Sequence, residues 1–201
     1  MAFIGRAGKK YLIYLLWGFL AAIPMLFFIY VYPGFDTTSP FYCVTVSPLL
    51  EEFFKALPII IPAIIGIKNN DKDLLVCAMA SGIGFSVIEN LIVLNANPDY
   101  SIPIVIIRSF STSLLHGCTC GIIGYGIVLI RNFDRHALPT LLFGFYTIAV
   151  TIHAIFNLLF LKYSMNGGII IDLVFPVFLF FFLHACYHVD VPILFKKNPA
   201  L

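Results

Sequence analysis

Ile102–Ile130, IPIVIIRSFSTSLLHGCTCGIIGYGIVLI, holds one arginine and one histidine in a run of apolar and small residues. A helix needs roughly 20 mostly apolar residues to cross the hydrocarbon core of a bilayer, and this run exceeds that, so it reads as a transmembrane helix. The rest of the chain repeats the pattern. Further apolar runs lie at Tyr11–Val31, Pro48–Ile67, Leu74–Leu94, Leu138–Tyr163 and Gly168–Cys186, divided by short polar or Pro/Gly-containing turns. The expectation is an all-α, polytopic transmembrane helical bundle of about six spans, with all 201 residues in a single integral membrane domain.

Composition points the same way. The chain is 61% hydrophobic and 11% charged, with a mean hydropathy of +1.00, too apolar for a surface in water, so its main partner is the lipid bilayer. A net charge of +2 without a basic run excludes nucleic acid as a partner. Cys77, Cys118, Cys120 and Cys186 fall inside spans. Cys118 and Cys120, two residues apart, point about 200° apart on a helix, which suits packing and not shared metal ligation. Arg6, Lys9 and Lys10 precede an apolar run too long for a signal-peptide core, which marks a retained first span.

Cationic residues set the orientation. Arg6, Lys9, Lys10, Lys68, Lys72, Arg131, Arg135, Lys196 and Lys197 fall on one side of the six-span arrangement and Lys162 on the other, so both termini are expected in the cytoplasm. Tyr30, Tyr32, Tyr42, Tyr100 and Tyr163 gather at the opposite ends of the spans, as an interfacial aromatic belt would. The segment from Tyr32 to Ser47, with Pro33, Gly34 and Pro40, is a candidate gate to which the sequence assigns no role.

Glu51, Glu52, Lys55, Glu89, Arg108, His116, His153, Asn157, Asp172 and His184 all lie within spans. An ionised group near the bilayer centre costs at least about 2.5–3.5 kcal/mol on insertion scales. Depth supplies a reason for accepting that cost. Glu52 stands 16 residues from Lys68, Glu89 16 from Asp73, His116 15 from Arg131 and His153 18 from Arg135. At about 1.5 Å per residue, four groups on four helices then share a layer roughly 22–27 Å above the cytoplasmic boundary.

Spacing adds direction. Glu51 and Lys55 are i,i+4 with the acid first, the favourable order for an ion pair, which assigns structure to Glu51–Lys55 and leaves Glu52 for chemistry. His153 and Asn157 share a helix face, as do Phe85 and Glu89. Pro58 and Pro62 are expected to kink the second span below the acidic pair. His184 reads as interhelical glue, Arg108 and Asp172 as snorkelling or paired groups, and Gly117, Gly121 and Gly124 as close-packing positions.

Four motifs together carry a resemblance. Pro48-Leu-Leu-Glu51-Glu52-Phe-Phe-Lys55, then Gly82-Ile-Gly84-Phe85-Ser-Val-Ile-Glu89-Asn90, then His116, then His153-Ala-Ile-Phe-Asn157 resemble the PrsW family of bacterial intramembrane proteases. That family is similar to the CAAX prenyl endopeptidases and bacteriocin-processing proteins, whose pattern is EExxxR, FxxxH and HxxxN. Lys55 stands one position before that arginine, and Glu89 replaces the second-motif histidine. The resemblance implies a catalytic set of Glu51, Glu52, Glu89, His116, His153 and Asn157. It also implies a bacterial cell membrane location and cleavage of a membrane-anchored protein such as an anti-sigma factor on its extracytoplasmic side.

Two mechanisms use the same side chains. In one, Glu52 is the general base, His153 assists, and Asn157 with His116 donates to the oxyanion. In the other, Glu89, His116 and His153 form a His₂Glu zinc site and Glu52 deprotonates the bound water. No HExxH motif decides between them, and similarity to glutamate-type relatives favours the first. A non-catalytic scaffold or a proton-coupled carrier built on the same cluster is the alternative from another class.

Overall fold

The computed structural model describes residues 5–31, 36, 39–66, 71–130, 138–163 and 169–188. Every regular element among them is helical: α1 (Arg6–Ala21), α2 (Ile23–Val31), a π-helical segment (Tyr42–Val46), α3 (Ser47–Ile64), α4 (Asp71–Ala96), α5 (Ile102–Ile130), α6 (Leu138–Tyr163) and α7 (Ile169–His188). The cationic positions Lys68, Arg131, Arg135, Lys196 and Lys197, used above for orientation, lie outside the described residues.

Two spans depart from a simple apolar rod for identifiable reasons. The first breaks at Ala22, because Pro24 has no N–H to offer the Leu20 carbonyl and the Ala22 N–H turns instead to Phe19 at 3.4 Å. The apolar stretch Ala7–Phe27 continues across that break. α3 runs through Pro58 and Pro62 and closes at Gly66, whose φ of 83° is unstrained only for glycine. Four stretches are long and apolar enough to cross a membrane: Ala7–Phe27, Asp73–Ala96, Ile102–Ile130 and Pro139–Lys162. α3 interrupts its apolar sequence with Glu51, Glu52 and Lys55, and Asp172–His188 of α7 is a further, shorter apolar stretch.

α5 is the central helix. It packs against α3, α4, α6 and α7, while α1 covers the far side of α4. Every α5 residue from Leu115 to Gly124 is buried. On one side Cys120, Ile123 and Ile127 meet Ala56 and Ile59 of α3 and Ala149 of α6; on another, Leu115 and Cys118 meet Phe156, Leu179 and Leu183. Cys118 and Cys120 thus face different neighbours, as their spacing requires. Large apolar side chains such as Ile13, Phe143 and Phe178 line the outside.

Lipid gives helices no hydrophobic reason to associate, so they approach through small residues and interhelical hydrogen bonds. Gly82 and Gly84 show how. Two apart, they sit on nearly opposite faces of α4. A Cβ on Gly82 would stand 2.0 Å from the His116 carbonyl oxygen of α5, and one on Gly84 2.0 Å from the Leu15 carbonyl oxygen of α1. Backbone therefore touches backbone on both sides of α4. Gly82→Ala should force α4 from α5 and cost upwards of about 1–3 kcal/mol, the usual cost of overpacking, seen as a lower thermal midpoint in lipid nanodiscs. Gly144→Ala, where a Cβ meets nothing within 4 Å, is the control. Equal midpoints for the two variants would mean that α4 and α5 do not meet at Gly82.

Candidate active site

α3, α4, α5 and α6 each turn ionisable side chains toward one point beside the α4–α5 contact. Glu51, Glu52, Lys55, His116 and His153 are all buried there, with exposures of 0–5%. The rings of His116 and His153 meet edge to face, centroids 4.8 Å apart. Groups from four helices do converge, as their common depth requires.

The pairing inside the cluster differs from the spacing argument. Lys55 Nζ lies 2.8 Å from Glu52 Oε1, so the ion pair is i,i+3 and Glu52 is its acid. Glu51 instead accepts from Ser47 Oγ, one turn earlier. The reason is cumulative: Glu52 Oε1 also accepts from Thr119 Oγ1 at 2.9 Å and bonds His153 Nδ1 at 2.8 Å. Three donors from three helices hold one oxygen, which the single Glu51–Lys55 contact could not match. Glu52 is the node that ties the helices together, and Glu51 is the acid left over.

The partners fix the histidine tautomers. An ammonium can only donate, so Lys55 Nζ, 2.6 Å from His116 Nδ1, makes that nitrogen an acceptor. His116 then carries its proton on Nε2 and donates to Glu89 Oε2 at 2.6 Å. His153 gives its Nδ1 proton to Glu52, which leaves Nε2 as a bare lone pair. That lone pair faces Glu51 Oε2 at 3.7 Å, and Glu51 Oε2 is itself buried without a hydrogen-bond partner. Two acceptors facing each other call for a proton donor or a cation between them.

Glu51, His116 and His153 each place a ligand atom within 4.8 Å of the others, close enough to share one metal ion. The carboxylate grouped with the two histidines is therefore Glu51, where the sequence suggested Glu89. Glu89 is held by His116 and by Arg108, whose Nη2 lies 3.9 Å from Glu89 Oε1 and whose guanidinium sits 4.6 Å from the Phe160 ring. Two of the three donors fit a divalent cation as they stand: Glu51 Oε2 and His153 Nε2 face each other, and Glu52 holds His153 from behind. His116 Nε2 would add a third lone pair with its proton moved to Nδ1, in place of the hydrogen bond from Lys55.

A family model described as the PrsW family intramembrane metalloprotease matches residues 8–185. The chain belongs to the PrsW family. It is thus a hydrolase of the membrane, and the ionisable cluster is the one place among the described residues where three metal-binding side chains meet. No curated protein and no solved structure matches.

The other positions singled out in this PrsW chain separate cleanly. Asn157 Nδ2 donates to the Cys43 carbonyl at 2.8 Å, tying α6 to the π-helical segment. His184 is exposed, stacks on Phe180 and meets His188 edge to face, both on its own helix and away from the cluster. Gly121 and Gly124 receive Leu183 and Ala78, as packing positions should. Two supporting residues escaped the sequence reading, although helical spacing offers both: Thr119 is i+3 from His116 and Ser47 is i−4 from Glu51. The Phe85 ring, 5.0 Å from Lys55 Nζ and 5.3 Å from the His116 ring, covers the ammonium.

Proposed function

We propose that this protein hydrolyses a peptide bond of a membrane-anchored protein, with Glu51 and His153 as the water-activating pair. The observation that carries the proposal is that Glu51 Oε2, buried without a hydrogen-bond partner, faces His153 Nε2 at 3.7 Å in an apolar bundle; with Glu51 ionised and His153 neutral, both atoms are acceptors. A water between them donates one hydrogen to each. Glu51 takes the proton as the water oxygen bonds to the carbonyl carbon, and returns it to the leaving nitrogen as the C–N bond breaks. Glu52 keeps His153 in the required tautomer, and Asn157, one turn along, carries an amide able to donate to the oxyanion.

Zinc is the cofactor proposed, held by Glu51, His153 and His116. When bound, such an ion would take those lone pairs in place of the water held by Glu51 and His153, and would supply the Lewis acid that activates water instead of Glu51. The whole chain acts as one membrane domain of the bacterial cell membrane, both termini cytoplasmic, and cuts its substrate, an anti-sigma factor being the type case, near the extracytoplasmic side. That placement rests on the charge asymmetry of the turns and on the depth of the cluster.

The test is cleavage of single-span reporter substrates by the protein purified into lipid nanodiscs, with and without a zinc chelator. Wild type should cleave, His153→Ala should lose at least about 100-fold, and chelation should stop the reaction until zinc is returned. Cleavage indifferent to chelation would leave Glu51 and His153 acting alone. A folded wild type that cleaves none of the reporters would overturn the protease reading.

A further inference from the structure

The π-helical segment Tyr42–Val46 lies directly before the catalytic helix α3, and its hydrogen bonding is set by a proline. In a π-helix each carbonyl accepts from the N–H five residues on. The Ser47 N–H accordingly serves the Tyr42 carbonyl. The Cys43 carbonyl would require the N–H of residue 48, which is Pro48 and has none. Asn157 of α6 fills that role, donating from Nδ2 at 2.8 Å. In the α-helical register the Ser47 N–H would serve Cys43 instead, and the carbonyl without a helical donor would be that of Val44. One carbonyl ahead of Pro48 always lacks a helical donor, and the register decides which.

We propose that this segment is an autoinhibitory gate, in which the Cys43 carbonyl takes one of the two Asn157 amide hydrogens and holds the amide turned toward itself in place of a substrate carbonyl, and a shift from π to α register releases it. The proposal rests on the protease reading, because the group withheld is the donor assigned there to the oxyanion. Three observations converge on it. Asn157 is one turn from His153, whose Nε2 faces Glu51. The group Asn157 binds is a peptide carbonyl, the chemical class that the reaction presents. The segment is also anchored at both ends: the Tyr42 side chain is buried with Ala21, Ala22, Met25 and Phe85, and Ser47 at the far end bonds Glu51. Closing the gate therefore positions a catalytic carboxylate and blocks an oxyanion donor with the same short stretch of chain. Substrate contacts to Asn157 offset the cost of stranding the Val44 carbonyl.

Two measurements decide the matter. Asn157→Leu keeps the bulk of the side chain and removes the donor, so amide hydrogen exchange across residues 42–46 in nanodiscs should speed up by about two- to tenfold, the worth of one hydrogen bond, while α5 exchange stays as it was. Unchanged exchange in that segment would overturn the proposal. This result needs no substrate and stands even if no reporter is cleaved. Pro48→Ala supplies the missing N–H, which serves Cys43 in the π register or Val44 in the α register, so in either the Cys43 carbonyl has a helical donor and no longer needs Asn157, and reporter cleavage should rise several-fold. The rise should vanish in the double variant Pro48→Ala with Asn157→Ala. A folded Pro48→Ala protein that cleaves no faster than wild type would refute the gate. If that variant does not fold, the exchange result decides alone.

Discussion

Glu51→Gln should abolish cleavage while leaving the fold intact, the loss being about 10²–10⁴-fold, the range carried by a positioned general base. The hydrogen bonds explain why fold and activity separate here. Ser47 Oγ donates to Glu51 Oε1, and a glutamine oxygen accepts that bond equally well. The glutamine NH₂ then falls where Oε2 was, facing the bare His153 Nε2 at 3.7 Å, and becomes the donor this gap lacks. The variant should unfold no lower than wild type, while losing the acceptor that removes a proton from water and the carboxylate that would hold an ion. Glu52→Gln is the informative contrast. It keeps an acceptor for Thr119 and His153 but strips the buried Lys55 ammonium of its counter-charge, so it should lose stability and activity together. Thermal unfolding and reporter cleavage, measured on both variants, separate the two acids. Glu51→Gln cleaving within about tenfold of wild type would return the catalytic role to Glu52.

The membrane bundle was legible because hydropathy is a property of runs of residues, and a run such as Ile102–Ile130 depends on no distant partner. The convergence of Glu52, Glu89, His116 and His153 was legible for a related reason: height along a span is a count of residues, and the count requires only that the helices be straight and roughly parallel. What the sequence could not decide is azimuth across helices. Both Glu51 and Glu52 are within reach of Lys55 on α3, and the choice between them is made by Thr119 on α5 and His153 on α6, residues 67 and 101 positions away. The exchange of Glu89 for Glu51 beside the two histidines has the same origin, since Arg108 and the His116 Nε2 proton hold Glu89. The break at Ala22 and the π-helical segment were missed differently. Both follow from a proline's missing N–H, but which carbonyl goes without a donor depends on register, and composition does not report register.

Lys55→Met is expected to be the most destabilising single change in the cluster, at about 3–5 kcal/mol, the cost of removing one partner from a buried ion pair. Lys55 is wholly buried and meets Glu52 Oε1 at 2.8 Å, His116 Nδ1 at 2.6 Å and the Phe85 ring. Methionine fills much of the stem volume, so packing changes little and the cost is electrostatic. Without the ammonium, Glu52 keeps a full charge in an apolar bundle with only Thr119 and His153 as donors. His116 also loses the donor that fixes its tautomer, so its proton can move to Nδ1 and its bond to Glu89 weakens. Both effects trace to one missing charge, and a second substitution can remove the cause. In Lys55→Met with Glu52→Gln the buried charge is gone while Oε1 still accepts from Thr119 and His153, so the double variant should recover most of the lost thermal midpoint. It should not recover cleavage, because His116 remains unset and His153 has lost its carboxylate. If the double variant unfolds as low as Lys55→Met alone, Lys55 supports α3 through packing against Phe85 and His116, and the ion pair with Glu52 contributes little to the bundle.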